Sequence, residues 1–117
     1  MIDDWYEALR GYGLSLPEAI EEFPWGHSAL KVRGKTFVFL SKEQELSLSM
    51  KLPVSRDFAL VFDFTEPTGY GLGRSGWVSA RFDGSEEPDL HLLKRWIRES
   101  YKAIAPKKLS ASLPDED

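Results

Sequence analysis

The sequence predicts an α+β fold: a single antiparallel β-sheet with helices packed on one face. Three observations carry that expectation. The middle of the chain alternates apolar and polar residues with the period of two that strands require, most cleanly in ELSLSMKL, Glu45 to Leu52. Segments near both ends instead repeat apolar residues at the three- and four-residue spacing of a helix face. The 117 residues, 42% hydrophobic and 13% aromatic, suit one domain around one core.

Ile2, Trp5, Tyr6 and Leu9 mark the apolar side of a first helix. Asp3, Asp4 and Glu7 sit in its first turns, where the helix dipole favours negative charge. Gly11 and Gly13 are expected to stop it. Ser15-Leu16-Pro17-Glu18 has capping-box spacing and predicts a short second helix to about Glu22, ended by Phe23-Pro24. SALKVR (Ser28 to Arg33) and TFVFLS (Thr36 to Ser41) then read as a hairpin turning on Gly34-Lys35.

ELSLSMKL is the next strand, with Leu46, Leu48, Met50 and Leu52 on its apolar side. PVSRDFALVFDF, Pro53 to Phe64, is expected to be helical. Gly69 to Gly73 reads as a loop or weak strand, and Trp77 to Phe82 as a firm one. From Asp89 to Ala105, Leu90, Leu93, Trp96, Ile97, Tyr101 and Ile104 define one side of a long helix. His91, Lys94, Arg95, Arg98 and Lys102 gather on its other side at 100° per residue. Pro106 ends this helix, and a frayed tail follows.

GLGRSG, Gly71 to Gly76, matches the G-x-G-x-x-G of a dinucleotide-binding loop. That loop needs a helix opening behind it to meet the phosphate. WVSARFDG follows instead and alternates like a strand, so these glycines serve a tight approach between strands.

Placing the strands together separates two faces. Leu30, Val32, Leu46, Leu48, Met50, Val78, Ala80 and Phe82 form a side that helices must cover. Lys31, Arg33, Ser47, Ser49, Lys51, Trp77 and Arg81 form the other. TFVFL is apolar on both sides, leaving either Phe37 and Phe39 or Val38 and Leu40 to join that second face. Cations beside a tryptophan suit nucleic acid, because phosphates meet the charges while bases stack on the ring. Solvated strands and amphipathic helices also carry such residues without any ligand.

Several function classes drop out. The chain has no cysteine, which excludes disulfides, thiolate metal sites and cysteine nucleophiles. No apolar run approaches membrane-spanning length, and MIDDWYEALR is acidic and unlike a signal peptide. His27 and His91 have no metal-triad spacing, and no G-x-S-x-G or Ser-x-x-Lys nucleophile motif occurs. Neither an enzyme nor a cofactor is expected, and a bacterial cytoplasmic protein is. The net charge of −4 counts against a nucleic-acid module. Against that, Lys94, Arg95, Arg98, Lys102, Lys107 and Lys108 face only Glu99 in one short stretch.

FPWG (Phe23 to Gly26), LKVRGKTFVFL (Leu30 to Leu40), LSLSMKLP (Leu46 to Pro53), GYGLGRSGWV (Gly69 to Val78) and ESYKAIAPKKL (Glu99 to Leu109) appear in that order. In order and spacing they resemble the MmcQ/YjbR-like family of small bacterial proteins, over about Leu16 to Leu109. The resemblance implies a frataxin/CyaY-like, double-wing architecture, with members commonly labelled DNA-binding. It matches the family pattern at Lys31, Gly34, Lys35, Phe37, Lys51, Trp77 and Tyr101. Many relatives carry a histidine just before the tryptophan; here Gly76 takes that place. The frataxin analogy also raises an acidic iron-holding ridge from Asp3, Asp4, Glu7, Glu18, Glu21 and Glu22, for which helix-dipole and solvation effects account more simply.

The expected domain spans residues 1–109, with 110–117 an acidic flexible tail ending in Asp115, Glu116 and Asp117. The residues expected to meet nucleic acid, DNA or RNA, are Lys31, Arg33, Lys51, Arg74, Trp77 and Arg81 around the sheet, with Arg95, Arg98 and Lys102 on the last helix. The competing expectation is a protein partner docking on the same open sheet face.

Overall fold

The computed structural model describes residues 1–114. Six strands form one antiparallel sheet: β1 (Ile20–Glu22), β2 (Ser28–Val32), β3 (Lys35–Ser41), β4 (Leu46–Lys51), β5 (Thr65–Pro67) and β6 (Trp77–Phe82). Their order across the sheet is β1-β2-β3-β4-β6-β5, which leaves β1 and β5 as the edges. Helices α1 (Ile2–Leu14) and α3 (Leu90–Ile104) pack on one face, with the short α2 (Arg56–Ala59) and α4 (Lys107–Ala111) beside them. This is the α+β architecture the alternation implied.

The covered face is the core. Leu30, Val32, Leu46, Leu48, Met50, Val78 and Ala80 are buried against Trp5, Tyr6 and Leu9 of α1 and Leu93, Trp96, Ile97 and Tyr101 of α3. The register Met50↔Val78 and Lys51↔Trp77 fixes the two faces, since a slip of one residue would exchange them.

TFVFL resolves through a β-bulge. Leu30 pairs Val38 and Lys31 pairs Thr36, so Phe37 is an extra residue on β3. Phe39 stays on the open face beside Trp77, while Phe37 joins Val38 and Leu40 in the core and meets Tyr101 edge-on at 5.2 Å. Fully buried Ser100 repairs the ladder there. Its hydroxyl accepts from Lys51 N at 2.8 Å and donates to the Phe37 carbonyl at 2.6 Å. Tyr101 donates its hydroxyl to the Pro17 carbonyl at 2.7 Å, tying α3 to the loop after α1.

Several local expectations are corrected. α1 runs through Gly11 and Gly13 to Leu14. A Cβ on Gly13 would run into Leu30 Cδ1, so the glycine permits close helix–sheet contact rather than ending the helix. No helix follows Ser15, whose hydroxyl donates back to the Tyr12 carbonyl at 2.6 Å. The capping-box pattern is thus used at the C-terminal end of α1, and Ile20–Glu22 pairs with β2 as a strand. The hairpin turns on Arg33-Gly34, both at positive φ as a primed two-residue turn requires, not on Gly34-Lys35.

Between Pro53 and Phe64 only Arg56–Ala59 is α-helical. Thr65 stops α2 by donating its hydroxyl to the Ala59 carbonyl at 2.6 Å, and Thr65–Pro67 then forms an edge strand. Pro67 is tolerated there because an edge needs fewer ladder donors. Leu72–Ser75 is a 3-10 turn flanked by Gly71 and Gly76 at positive φ, and β6 follows directly. Gly73 supplies the expected close approach, since a Cβ there would lie 2.9 Å from Pro67 Cβ. Where a frayed tail was expected, Lys107–Ala111 is helical; the acidic end, Asp115 to Asp117, lies outside the described residues.

Candidate nucleic-acid interface

Alternation places Lys31, Lys51, Trp77 and Arg81 on the open face as expected, but their surroundings differ from the expectation. Lys31 Nζ lies 2.8 Å from Glu22 Oε1. Arg81 is paired with Glu66, which the β5–β6 register sets on the same face. Two of the three sheet-face cations therefore carry their own counter-charge. Lys51 has no ion-pair partner among the described residues, and neither has the exposed Arg74 of the 3-10 turn.

Arg33 is not on this face. Its positive-φ turn position sends the guanidinium to Glu18, with Nη2 donating to Oε2 at 3.0 Å. That hydrogen bond and the attraction behind it hold the Glu18 carboxyl below the usual range and the guanidinium above its own. Tyr101 feels the same pair, and burial pushes its phenol up.

Trp77 requires the larger correction. It is 7% exposed, with Phe39 tilted against it at a centroid separation of 5.8 Å. A ring so covered offers no face on which a base can stack. Around it the open face is made of hydroxyls rather than charges. Ser49 and Ser79 share a hydrogen bond at 2.7 Å, and Thr68 reaches Ser79 at 2.9 Å.

The helical cations form a second, separate surface. Lys94, Arg95, Arg98 and Lys102 fall within one arc of α3, opposite buried Leu93, Trp96, Ile97 and Ser100. Lys107 and Lys108 extend it on α4, which Ser110 anchors by donating to the Lys102 carbonyl at 3.1 Å. Glu99, the one carboxylate of this stretch, is occupied elsewhere. It accepts from Val54 N and Ser55 N, each at 2.9 Å, and from Ser55 Oγ at 2.6 Å. Because α3 covers the core face, its basic arc and the open sheet face lie on opposite sides of the molecule. The nine expected contact residues therefore cannot form one surface.

The acidic ridge is likewise divided. Glu21 accepts from Arg10 and Ser28 in the helix layer, the Arg10 hydrogen bonds holding its carboxyl low, while Glu18 and Glu22 serve Arg33 and Lys31. No three carboxylates or histidines are grouped to hold a metal ion among the described residues. Nor is any described helix long and apolar enough to cross a membrane.

Two surfaces escaped the sequence reading. Phe23 and Trp25, after edge strand β1, are 59% and 84% exposed. Phe58, Phe62, Phe64 and Phe82 form an aromatic cluster bordered by carboxylates. The signal for the second was present in FDF, Phe62 to Phe64, and FDGSEEPD, Phe82 to Asp89, where aromatics and acids adjoin.

Comparison with known proteins agrees with the fold. A solved structure from Deinococcus radiodurans, protein DR2400 with a domain designated DUF419, superposes with a TM-score of 0.67 at 26% identity. The match covers 83% of this chain and 75% of that one. None of the curated proteins compared matches. The family model described as YjbR matches residues 14–103, nearly every element from the end of α1 into α3, and the chain belongs to the YjbR family.

Proposed function

We propose that this protein is a binding module, not an enzyme, and that it holds nucleic acid weakly through the outer side of α3 and α4. The observation that carries this reading is the run of Lys94, Lys102, Lys107 and Lys108 along the arc they share with Arg95 and Arg98, none of these four lysines having an ion-pair partner among the described residues, while Glu99 serves the start of α2. Phosphates are the natural counterpart of such an arc, and its contacts carry no base information. Affinity is held in the non-specific range, at about 1 to 100 µM, by repulsion from the acidic remainder.

Fluorescence anisotropy with a labelled 20-nucleotide single strand and its duplex tests this across a salt series. The logarithm of affinity should fall with log salt by about 0.9 per duplex phosphate contact and about 0.7 per single-strand contact. Changing Lys94, Lys102, Lys107 and Lys108 together to Ala should remove most of that slope, while Lys51→Ala should remove at most about one unit. Absence of binding by the intact protein at low salt would sink the reading. A protein-docking role is the second reading, and exposed Trp25 and Phe23 favour it, since aromatic anchors dominate such interfaces.

A further inference from the structure

Next to Arg95, at one end of the basic arc, α2 with the residues after it, the end of β6 and the start of α3 enclose a cleft of about 800 Å³. Its aromatic lining is Phe58, Phe62, Phe64 and Phe82, beside Leu92 and Leu93. Phe62 stacks on Phe64 at 5.0 Å, Phe64 meets Phe82 at 4.7 Å, and Phe58 stands edge-on to Phe62 at 5.3 Å with 59% of its surface exposed. Trp96 of α3 backs Phe62 and Phe64 from the core.

Carboxylates border this lining. Asp83 and Asp89 have local work: Asp83 accepts from Ser85 N at 2.9 Å, and Asp89 caps α3 by accepting from Leu92 N at 3.1 Å. Glu45, Asp63, Glu86 and Glu87 line the cleft without a cation partner among the described residues. Arg81, the cation of the lining, is committed to Glu66. The cleft thus joins π faces to unneutralised negative charge, and both attract cations.

We propose that the cleft docks an extended basic peptide segment of a partner protein, with Lys or Arg residues alternating with apolar ones. Two features select this occupant. No three of the carboxylates are close enough together to chelate a metal ion among the described residues, so they favour several separate cations over one. Between them lies apolar surface that a simple polycation would leave wet, whereas Leu-sized side chains would cover the phenylalanines. Arginine gains further by laying its guanidinium over an aromatic face. Arg95 of the basic arc borders this site, but the proposal uses none of the arc's cations, and nucleic-acid binding can fail without affecting it.

The probe is a fluorescein-labelled, amidated peptide with four repeats of Arg-Leu, compared with peptides of four Arg-Ser and four Glu-Leu repeats. Binding is followed by anisotropy and by backbone amide shifts at about 150 mM salt. The Arg-Leu peptide should bind, shifting residues 58–64 and 81–93, while Arg-Ser binds at least tenfold more weakly and Glu-Leu not at all. Combining E45Q, D63N, E86Q and E87Q should lower affinity at least tenfold with the thermal midpoint held. Phe58→Ser, at an exposed ring, should weaken Arg-Leu binding by about fivefold and Arg-Ser binding by less, since the latter loses only the contact of guanidinium with ring. Equal binding of Arg-Leu and Arg-Ser, shifts confined to other faces, or an unaffected acidic-rim variant would overturn the proposal. Sedimentation equilibrium supplies the remaining arm: self-association abolished by the rim variant would make a second copy the occupant and defeat it.

Discussion

The two faces of the sheet are built from the same alternating strands, yet they hold themselves together differently. On the covered face, Leu48, Met50, Val78 and their neighbours are buried by helices, and hydrophobic transfer supplies the stabilisation. On the open face, Phe39 and Trp77 shield each other beside a Ser49–Ser79–Thr68 hydroxyl chain, and Lys31 and Arg81 hold carboxylates from neighbouring strands. One face is closed by other elements. The other closes largely on itself. An uncovered sheet face is therefore not automatically a ligand surface: its charges must be unpaired and its aromatics exposed.

The largest effect should come from Phe37→Ala on the covered side. It removes a fully buried ring at the bulge and its contact with Tyr101, and should cost about 3–5 kcal/mol in urea unfolding. Trp77→Ala on the open face should cost about 2–4 kcal/mol, less because fewer layers close over it. A cost below about 1 kcal/mol would mean that the open face is not packed as described.

Ser100→Ala comes next, at about 1–3 kcal/mol, since it leaves Lys51 N and the Phe37 carbonyl without the hydroxyl that joins them. Ser100→Thr, which retains a hydroxyl, should recover only part of this, because the site is fully buried and the added methyl must be packed. Amide exchange at Lys51 provides the local readout: it should accelerate in Ser100→Ala beyond what the global loss explains.

These contrasts also explain what the sequence could and could not disclose. Strict alternation in ELSLSMKL and WVSARF disclosed both faces, because the period of two is a local property. The bulge at Phe37 was hidden because TFVFL is apolar in either register, and the choice depends on Tyr101, far along the chain. β1 was hidden because three residues carry little periodicity and their strand state comes from pairing with β2. The open-face cations looked available because their carboxylates, Glu22 and Glu66, come from edge strands the sequence signals weakly. Burial of Trp77 depends on Phe39 across the sheet, so alternation gave its side but not its exposure.

A pH experiment separates the helix layer from the open face. The Arg10 hydrogen bonds, reinforced by Ser28, hold the Glu21 carboxyl below its ordinary value in the folded state. The resulting stability is present above the unfolded pKa, about 4.3, and is lost as pH falls through the depressed folded value. Stability of the intact protein should therefore decline between about pH 5 and 3, and Arg10→Met should flatten that decline. An unchanged profile would show that the Glu21 link does not operate in solution.

The smallest expected effect is also the most direct test of the neutralised sheet face. Lys31→Ala and Arg81→Ala should each change stability by no more than about 0.5 kcal/mol, because both pairs are partly solvated and screened. Neither should weaken nucleic-acid binding at low salt, since each cation already has a carboxylate beside it. The informative comparison is the reverse change. Glu22→Gln with Glu66→Gln removes the two counter-charges and leaves Lys31 and Arg81 beside Lys51 on a face with net positive charge. If pairing is what silences this face, that double variant should bind single-stranded DNA more tightly than the parent, with a salt slope steeper by up to about 1.4 for two added contacts. If its affinity and slope stay at parental values while the helical variant still loses binding, geometry rather than charge pairing excludes phosphates from the sheet. Buried Trp77 and its hydroxyl surround would then suffice to explain why the face is silent.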